Sequence, residues 1–342
     1  MKLSLFDYHL PKKLIAQKPT KPRDHSRLMV IDRITKKVSH HHFFDLPKFL
    51  NRGDVLVLNN TKVFPARLWA AKKETGGKVE VLLLKNLKGK TWEVLLGGKI
   101  RKKGMILQFG EGLESKVIKK NKEGIWQLHF NKNKREILKI VEKIGHAPTP
   151  PYIKTIGKKE KVKKDYQTIF AEKIGSVAAP TAGLHFTKPL LSKLRKKGVQ
   201  IEYITLHVGL GTFMPVKVAD IKKNQMHPEW VEVKKATLRR IKQAKREGKR
   251  IVAVGTTSVR TLETTCNKPS HQGYRGWINL YIYPGYRWQI VDSLITNFHL
   301  PKSTLLILVS ALAGRRFTLS CYQKAVAKKY HFYSFGDAML IK

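Results

Sequence analysis

Residues 54–68 read DVLVLNNTKVFPARL, and the pattern of the chain changes within them. The first half, DVLVLNN, is an apolar run rich in Val and Leu, which is typical of a strand buried in a parallel sheet. After Pro65 the chain instead carries short β-prone runs separated by Gly-rich turns. The stretch therefore predicts the boundary between an α/β domain and a β-rich one.

The α/β pattern lies on both sides of the β-rich segment. Before it, SRLMVIDR predicts a second buried strand. After it, LLSKLRKKG and KKATLRRIKQAKREG predict amphipathic helices, VQIEYITLHVG predicts a strand, and RIVAVGTTSVRTLE predicts a strand, a tight turn and a helix start. We therefore expect an α/β catalytic domain built from both chain ends, residues 1–63 and 151–342.

The intervening segment, residues 64–150, is predicted to form an inserted small antiparallel β-barrel domain. Short strands of regular spacing with Gly-rich turns are typical of small barrels and sandwiches. The predicted strands are ARLWAAK, KVEVLLLK, TWEVLLGG, MILQFG, SKVIKK and IWQLHF. The prolines of GHAPTPPYI mark a stiff linker at the end of the insertion.

The composition indicates a globular, strongly basic protein. The chain has 342 residues, of which 42% are hydrophobic, and its 68 Lys and Arg against 24 Asp and Glu give a net charge of +44. Such a surface attracts polyanions, of which nucleic acid is the commonest. Because lysine is spread over almost every segment, a compositional bias of the lineage explains the excess equally well, and both explanations stay open.

Cysteine usage and apolar runs bear on the compartment. Cys266 and Cys321 stand far apart without a Cys-x-x-Cys motif, so neither a zinc ribbon nor a disulfide framework is predicted. The N-terminus reaches Asp7 and His9 too early for a secretory signal peptide. The longest apolar run, at 303–314, is too short to span a bilayer. We expect a cytoplasmic protein with no membrane partner.

Histidines recur in small polar turns. AAPTAGLHFT holds His185 and TLHVGLGTF holds His207, while His227 and His299 lie in MHPEW and NFHLP. Each alone is more often a hydrogen-bonded structural residue than a catalytic one, but four in such contexts predict a shared pocket. A metal site is not predicted, because no His-x-x-x-His or carboxylate spacing supports one.

Glycines in the same turns allow close approach of the backbone. Gly183, Gly209 and Gly211 are the positions concerned. The Gly-x-Gly of HVGLGTF resembles half of a dinucleotide-binding fingerprint, but the third Gly is missing. The motif alone is therefore weak evidence for a nucleotide.

The segment VAVGTTSVR predicts a strand that leads directly into a helix, where unsatisfied N–H groups favour an anion. Thr256, Thr257 or Ser258 could simply cap this helix. Arg260, one turn further on, opposes the helix dipole and so invites a phosphate or carboxylate.

Glu229 is one of few acids in its region. It could accept a proton or hold a cation, although a surface ion pair with one of the many lysines is the commoner situation.

The segment GWINLYIYPGYRW alternates in hydrophobicity, which predicts a strand whose aromatic side chains pack on the core or on the sheet. The alternative is that some of them stack on unpaired bases. The aromatic residues are Trp277, Tyr281, Tyr283, Tyr286 and Trp288.

Taken in order, these motifs resemble those of the S-adenosylmethionine:tRNA ribosyltransferase-isomerases, a family of queuosine biosynthesis. The likeness covers nearly the whole chain and is weakest around 85–145. The motifs are FDYHLPKKLIAQKPTKPRDHSRLMV, DVLVLNNTKVFPARL, GGKVEVLLL, YQTIFA, GSVAAPTAGLHFT, TLHVGLGTF, VGTTSVRTLE, GWINLYIYPGY, LITNFHLPKSTLLILVSALAG and YSFGDAMLI.

The resemblance implies a reaction and its substrates. S-adenosylmethionine would be a co-substrate, and no metal or redox cofactor is expected. Its ribosyl part would pass to 7-aminomethyl-7-deazaguanine at the wobble position of a tRNA with a GUN-type anticodon. Adenine and methionine would leave, and epoxyqueuosine would form. The family fold is an α/β domain with an inserted β-barrel, and we expect a monomer.

This chemistry needs a base for a C5′ proton that the sulfonium acidifies, a proton source for adenine, and a slot for a cation and a sugar. Histidine suits either proton role. The two histidine turns are therefore expected to wall one nucleoside pocket. The catalytic candidates are His185, His207 and Glu229, and the substrate-binding candidates are Thr181, Gly183, Gly209, Gly211, Thr212, Thr256, Thr257, Arg260, Asn297 and His299.

Three positions depart from the family pattern. LNNTKV stands where the family usually has LNDTRV, so Asn60 replaces an acid and Lys62 an arginine, and Met214 stands where an arginine is expected. A carboxylate that could hold the sulfonium is thereby lost, as is bidentate arginine geometry. Two other classes of function stay open, namely a non-catalytic tRNA-binding protein and an RNA methyltransferase that uses the same donor.

Overall fold

The computed structural model describes residues 1–98, 103–149, 153, 159–209, 216, 218–269 and 271–342. Its strands are β1 (Arg27–Ile31), β2 (Val38–His42), β3 (Val55–Asn59), β4 (Thr61–Val63), β5 (Arg67–Lys72), β6 (Lys78–Lys88), β7 (Thr91–Gly97), β8 (Ile106–Gln108), β9 (Glu114–Lys120), β10 (Trp126–Phe130), β11 (Lys173–Ser176), β12 (Gln200–His207), β13 (Glu229–Val233), β14 (Ile251–Val254), β15 (Tyr274–Ile278), β16 (Ser293–Asn297) and β17 (Ala338–Ile341). Its α-helices are α1 (Lys134–Ile144), α2 (Lys159–Asp165), α3 (Lys188–Lys196), α4 (Lys235–Arg246), α5 (Thr256–Thr265), α6 (Thr304–Ala313) and α7 (Arg315–Ala327).

Nine of the described strands form one mixed sheet in the order β15-β13-β12-β3-β14-β16-β17-β1-β2. Within it β12, β3, β14 and β16 are consecutive parallel neighbours. Every residue of β3 is buried, as its uninterrupted apolar run predicts for a strand covered on both faces. Helix α4 covers one face with the predicted stripe Leu238, Ile241 and Ala244, all of them buried.

Strands β5 to β10 form a closed antiparallel barrel in the order β10-β7-β6-β5-β8-β9. Buried Val, Leu and aromatic side chains fill it, and α1 adds Ile137 and Val141 to the same cluster. Closure pairs every strand edge. The predicted fold class, an α/β domain with an inserted antiparallel β-barrel, is therefore confirmed. The barrel strands lie inside the limits 64–150, which themselves stay a prediction.

The chain passes between the two parts at a small second sheet. Strand β4 follows β3 after one residue and pairs with β11 in parallel. The backbone of Arg67 then pairs with that of His146, so that the entry and exit of the barrel lie side by side. The barrel is thus attached next to the ends of β3 and β12.

The aromatic segment after residue 273 differs from its prediction. Strand β15 ends at Ile278, so the alternating pattern beyond it does not form a strand. Tyr281, Tyr283, Tyr286 and Trp288 lie in irregular chain and pack against the main core. The alternating pattern arises because aromatic side chains of a loop face the core. Periodicity alone does not distinguish such a loop from a strand.

The apolar segment at 303–314 contains the whole of helix α6, most of whose residues are buried in the main core. No single helix among the described residues is long and apolar enough to cross a membrane. Thr304–Ala313 and Arg315–Ala327 meet the length and composition criteria only as a pair, and the chain bends by 115° between them.

Gly145 at the end of α1 is predicted to be required for attachment of the barrel. A Cβ at this position would overlap the carbonyl oxygen of Pro65 and lie 2.5 Å from that of Val141. Both neighbours are backbone atoms, so Gly145→Ala should lower the free energy of unfolding by about 1–3 kcal/mol. Gly77→Ala is the matched control, because its Cβ would lie no closer than 3.5 Å to any neighbour. Urea denaturation measures both, and equal midpoints would contradict the prediction.

Candidate active site at the carboxyl edge of the sheet

Four parallel strands bring polar residues to one edge of the sheet. Strand β3 ends at Asn59, β12 at His207 and β16 at Asn297, while β14 leads through Gly255 into α5. Because neighbouring parallel strands run in the same direction, their carboxyl ends meet at the same edge, where ligands of open α/β sheets bind. This edge is the candidate site.

Asn59 connects three of these elements. Its Nδ2 donates to the Leu206 carbonyl at 3.0 Å and to Thr257 Oγ1 at 3.4 Å. Its Oδ1 accepts from the backbone N–H groups of Leu206 at 3.0 Å and Thr61 at 3.1 Å. The side chain is buried, so these bonds face no competition from water. Asn59 fixes the end of β12 against β3 and α5.

His207 is held on several sides. Its Nδ1 lies 2.8 Å from Thr61 Oγ1, and its ring stacks on that of Trp230 with centroids 5.1 Å apart and planes inclined by 14°. A Cβ on Gly175 would lie 2.5 Å from His207 Nε2, so only glycine leaves room for the ring there. These contacts fix the orientation of the imidazole.

The hydrogen bonds of Thr61 indicate which ring nitrogen carries the proton. The Thr61 hydroxyl has the Lys173 carbonyl as an acceptor at 3.5 Å. Having donated its own proton there, Oγ1 accepts one from His207 Nδ1–H. No described residue hydrogen-bonds Nε2, which then holds a lone pair. This is the arrangement of a general base.

The surroundings keep His207 neutral. Its pKa is lowered to about 4, chiefly by burial; Glu232 opposes this effect, and the smaller influence of Lys134 adds to it. At neutral pH the ring is therefore a base and not an acid.

His185 lies in a separate hydrogen-bonded cluster. Its Nδ1 is 2.7 Å from Ser26 Oγ, and its Nε2 is 3.2 Å from Asn297 Nδ2. Asn297 also donates to the Tyr333 carbonyl at 2.9 Å and accepts from Thr181 Oγ1 at 3.3 Å. The structure thus brings three of the candidates, Thr181, His185 and Asn297, into one hydrogen-bonded cluster, in which both ring nitrogens of His185 are already occupied.

His185 is also neutral. The ring is buried and stacks on Phe43 at 4.9 Å. Burial, followed by the charge of Arg23, lowers its pKa to about 3. Because the Asn297 amide donates to Nε2, the proton lies on Nδ1 and is donated to Ser26. A small cavity lined by Arg23 and Ser26 borders the ring.

The two histidine turns lie next to each other. The backbone N–H of Val177 donates to the Val208 carbonyl at 3.1 Å, and that of Val208 donates to Ser176 Oγ at 2.9 Å. At the other end, a Cβ on Gly255 would lie 3.6 Å from that of Ala182. The described parts of both turns therefore border the same edge of the sheet.

The other two histidines do not join a common cluster. His227 faces Glu123 of the barrel, with 4.0 Å between Nδ1 and Oε2. His299 Nε2 lies 2.8 Å from Thr296 Oγ1, and burial lowers its pKa to about 3. The expected pocket of four histidines is therefore not formed by these residues.

The start of α5 differs from the predicted cap. Gly255, with φ of +85°, occupies the N-cap position, and no side chain caps the helix. Ser258 Oγ instead donates to the Val254 carbonyl at 2.8 Å. Thr257 Oγ1 accepts a hydrogen bond from Asn59 Nδ2, and Thr256 lies beside Thr257 at the sheet edge. The first turn of α5 thus points its N–H groups toward the site without an internal acceptor from a capping side chain.

Glu229 and Arg260 form a buried ion pair. Arg260 Nη1 donates to Glu229 Oε2, and Arg260 Nε donates to the Leu280 carbonyl at 2.9 Å. Glu229 Oε1 accepts from the backbone of Gly209 at 3.0 Å. The expected surface pair of Glu229 with a lysine is therefore wrong, and the anion beside Arg260 is a carboxylate of the chain itself. The pair holds the start of the loop after β12.

Two of the three predicted glycines, Gly183 and Gly209, lie in the described part of the chain, and their surroundings differ. A Cβ on Gly183 would lie 2.8 Å from the Phe170 ring, so the close approach there is to the chain's own side chain. Gly209 has its nearest neighbour at 3.9 Å and contributes its N–H instead. Gly211, Thr212 and Met214 lie outside the described residues.

Both polar atoms of the Asn60 side chain have hydrogen-bond partners. Its Oδ1 accepts from Thr205 Oγ1 at 2.7 Å, and its Nδ2 donates to Glu172 Oε2 at 3.0 Å. An aspartate at this position would face the Glu172 carboxylate with no proton between them. Lys62 is half-buried on β4.

Sequence reasoning missed Asn59, Thr61, Gly175 and Trp230. Two consecutive asparagines directly after a fully apolar strand were the available signal for the first. The other three touch His207 only through tertiary contacts. Among the described residues, no group of three or more His, Cys, Asp or Glu could hold a metal ion. Whether the reaction needs a cofactor stays a prediction.

The fold and the site together define an α/β protein with an inserted β-barrel and a candidate site at the carboxyl edge of its sheet. The family model of the queuosine biosynthesis protein matches residues 3–341. The chain therefore belongs to the queuosine biosynthesis protein family, which confirms the resemblance seen in the motifs.

Similar proteins share the whole length of the chain. S-adenosylmethionine:tRNA ribosyltransferase-isomerases from Aquifex aeolicus and Thermotoga petrophila are 48% and 49% identical over 100% of both chains. The crystal structure of S-adenosylmethionine tRNA ribosyltransferase from Thermotoga maritima is 39% identical, with a TM-score of 0.58, and the match covers 99% of this chain and 100% of that one.

The packing of Gly175 on His207 predicts an energetic coupling between them. Gly175→Ala should destabilise the protein by about 1–3 kcal/mol, because the new methyl group overlaps the imidazole. In a His207→Ala background the ring is absent, and the same substitution should cost at least about 1 kcal/mol less. Denaturant unfolding of the four proteins gives the coupling. Additive effects would show that the ring does not lie against Gly175.

The neutral histidines predict loss of stability in mild acid. In the unfolded chain a histidine binds a proton below about pH 6.5, whereas folded His185, His207 and His299 resist protonation down to about pH 3 or 4. The unfolded state therefore binds more protons, and each such residue should remove up to about 1.4 kcal/mol of stability per pH unit below pH 6.5. Unfolding measured from pH 7 to pH 5 tests this, and His299→Gln should flatten the slope. A constant free energy of unfolding over that range would refute the assignment.

Proposed function

We propose that this chain transfers the ribosyl part of S-adenosylmethionine to 7-aminomethyl-7-deazaguanine at the wobble position of tRNA and isomerises it, giving epoxyqueuosine. Adenine and methionine are released. The observation that carries the proposal is the match over the full length, at 48–49% identity, to relatives named for this activity. The neutral, oriented His207 at the sheet edge fits the base that the reaction needs.

His207 is assigned the first proton transfer. The positive sulfonium acidifies the C5′ hydrogens of the donor, and Nε2 takes one of them. Loss of adenine and attack of the aminomethyl nitrogen on the sugar follow. Thr61 and Trp230 hold the ring, so that its lone pair keeps one direction.

The remaining candidates are assigned positions around the nucleoside. Thr181, His185 and Asn297 form one wall through their mutual hydrogen bonds. The uncapped start of α5 at Thr256 and Thr257 offers N–H groups to ribose hydroxyls. Glu229, paired with Arg260, acts by holding the backbone of Gly209.

The proposal also covers the tRNA substrate, the compartment, the oligomeric state and the cofactor. The tRNA would carry a GUN-type anticodon, and the enzyme would work as a cytoplasmic monomer. S-adenosylmethionine is consumed as a co-substrate. Since the steps need only proton transfer and displacement, we propose that no metal or redox cofactor takes part. The charge of +44 supports binding of a polyanion such as tRNA.

Release of adenine tests the proposed function. The wild-type protein, incubated with S-adenosylmethionine and tRNA bearing the aminomethyl base, should release adenine and methionine in equal amounts. His207→Ala should slow this release by about 10²–10⁴-fold, the usual contribution of a general base, while binding of tRNA changes little. His227→Ala is the control, because that residue faces the barrel.

Two other results would contradict the proposed reaction, and a third would contradict only the assignment of the base. Formation of S-adenosylhomocysteine would indicate a methyltransferase. Binding of tRNA without release of adenine would indicate a non-catalytic protein. Full activity of His207→Ala would move the base to another residue and leave the overall reaction unaffected.

A further inference from the structure

Three rings occupy adjacent positions across the sheet. His207 on β12 is directly opposite Trp230 on β13, and Trp230 is directly opposite Trp277 on β15. Residues that face each other across paired strands project on the same side of the sheet. A row of planar side chains therefore runs from the candidate base to the edge strand β15. We call His207, Trp230 and Trp277 the ring row.

The other side of these strands is already covered. Leu206, Val231 and Ile278 alternate with members of the ring row and are buried in the main core. The ring row becomes more exposed outward. His207 and Trp230 are half-buried, and Trp277 is 47% exposed. An indole exposed to this extent at the end of such a row indicates a binding surface.

Positive charge surrounds the ring row, and part of it comes from the barrel. Lys85 on β6 places its Nζ 3.8 Å from the centroid of the Trp277 ring. Lys134 at the start of α1 lies near enough to lower the pKa of His207. Arg275, two residues before Trp277 on the same strand, has a 70% exposed side chain that pairs with Glu232. Both parts of the protein thus contribute cations to one aromatic surface.

Aromatic faces flanked by lysine are the usual means of binding single-stranded RNA, because bases stack on the rings and phosphates meet the cations. Paired strands are about 4.8 Å apart, so His207 and Trp277 are separated by about 10 Å, the length of about three stacked nucleotides. A loop of three unpaired bases fits this distance.

We propose that the ring row and Lys85 bind the anticodon loop, with an unpaired loop base about three nucleotides from the wobble nucleotide stacked on Trp277 while the wobble nucleotide reaches His207. The assignment rests on the proposed function. The assignment names the surface that would bind the RNA. It also gives the barrel a role in RNA binding, because Lys85 lies on barrel strand β6. Lys85 leaves the ring face when the base stacks there and pairs with a phosphate.

Direct RNA binding tests the assignment. The probe is an unmodified RNA stem-loop with a GUN anticodon, titrated by fluorescence anisotropy at fixed salt. Trp277→Ala should weaken binding by about 5–150-fold, the effect of losing one stacked base. Trp277→Phe should retain most of the affinity, because a ring remains. Lys85→Ala should reduce the slope of log affinity against log salt by about 0.7–0.9, corresponding to one phosphate contact.

Trp69→Ala is the matched control. Trp69 on β5 of the barrel is 55% exposed and lies outside the ring row. Its removal should change binding by less than about twofold. Equal losses for Trp69→Ala and Trp277→Ala would overturn the proposal, as would unchanged binding by Trp277→Ala. A change in sedimentation of Trp277→Ala without a change in RNA binding would show a protein contact instead and would also overturn it.

Release of adenine separates this proposal from the proposed function. Trp277→Ala should raise KM for tRNA and leave kcat nearly unchanged at saturating tRNA, because the residue does not touch the reacting atoms. A wild-type protein that releases adenine, with the KM of Trp277→Ala equal to that of wild type, overturns the ring row and leaves the function standing. A wild-type protein that binds RNA through Trp277 without releasing adenine supports the ring row and overturns the function.

Discussion

The site depends on the side-chain amide of Asn59. The backbone ladder between β3 and β12 ends at the pair of Asn59 and Ile204. Beyond it, the amide exchanges two hydrogen bonds with the backbone of Leu206 and so continues the pairing by two residues. A buried backbone group without a partner costs about 1–3 kcal/mol, so this register is strongly favoured. A shift by one residue would turn His207 to the opposite face.

The order and class of the elements could be predicted from the sequence because each is encoded locally. Apolar runs specify β3 and β14, and the stripe of Leu238, Ile241 and Ala244 specifies α4. The aromatic stretch after Ile278 was mistaken for a strand because its tyrosines face the core from an irregular loop. Periodicity gives the direction of side chains and does not give the backbone conformation.

The contents of the site were harder to predict because its contacts join distant parts of the chain. The partner of Glu229 is Arg260, 31 residues away, and nothing in the sequence selects that arginine among 68 cationic residues. Thr181, His185 and Asn297, which hydrogen-bond to one another, could each be named as candidates because each lies in a recognised motif. Residues that only hold others, such as Thr61 and Gly175, leave no such signal.

Asn60, which departs from the family pattern, is hydrogen-bonded to a carboxylate of the chain itself. The Asn60 amide donates to Glu172, whose backbone N–H in turn donates to the Asn60 carbonyl at 2.8 Å. A carboxylate therefore lies one hydrogen bond from Asn60, directly before β11, the strand that carries Gly175. Lys173 Nζ lies 3.4 Å from the same carboxylate and partly offsets its charge. The local bonds explain why asparagine is stable here, since aspartate would place two carboxylates together.

Burial of the two histidines has a consequence for the division of catalytic roles in the proposed reaction. Burial is the main cause that disfavours a charged His207, against an opposing effect of Glu232 and with a smaller contribution from Lys134, and burial followed by Arg23 does the same for His185. Neither imidazole can therefore store a proton at neutral pH before the reaction begins. Under the proposed function, His207 suits the first step because it carries no extra proton, and it would become an acid only after accepting the C5′ proton. Burial would destabilise an imidazolium formed in this way, so that it returns its proton readily. Adenine, which needs a proton as it departs, is the acceptor formed in that same reaction, so one residue can serve both transfers in sequence.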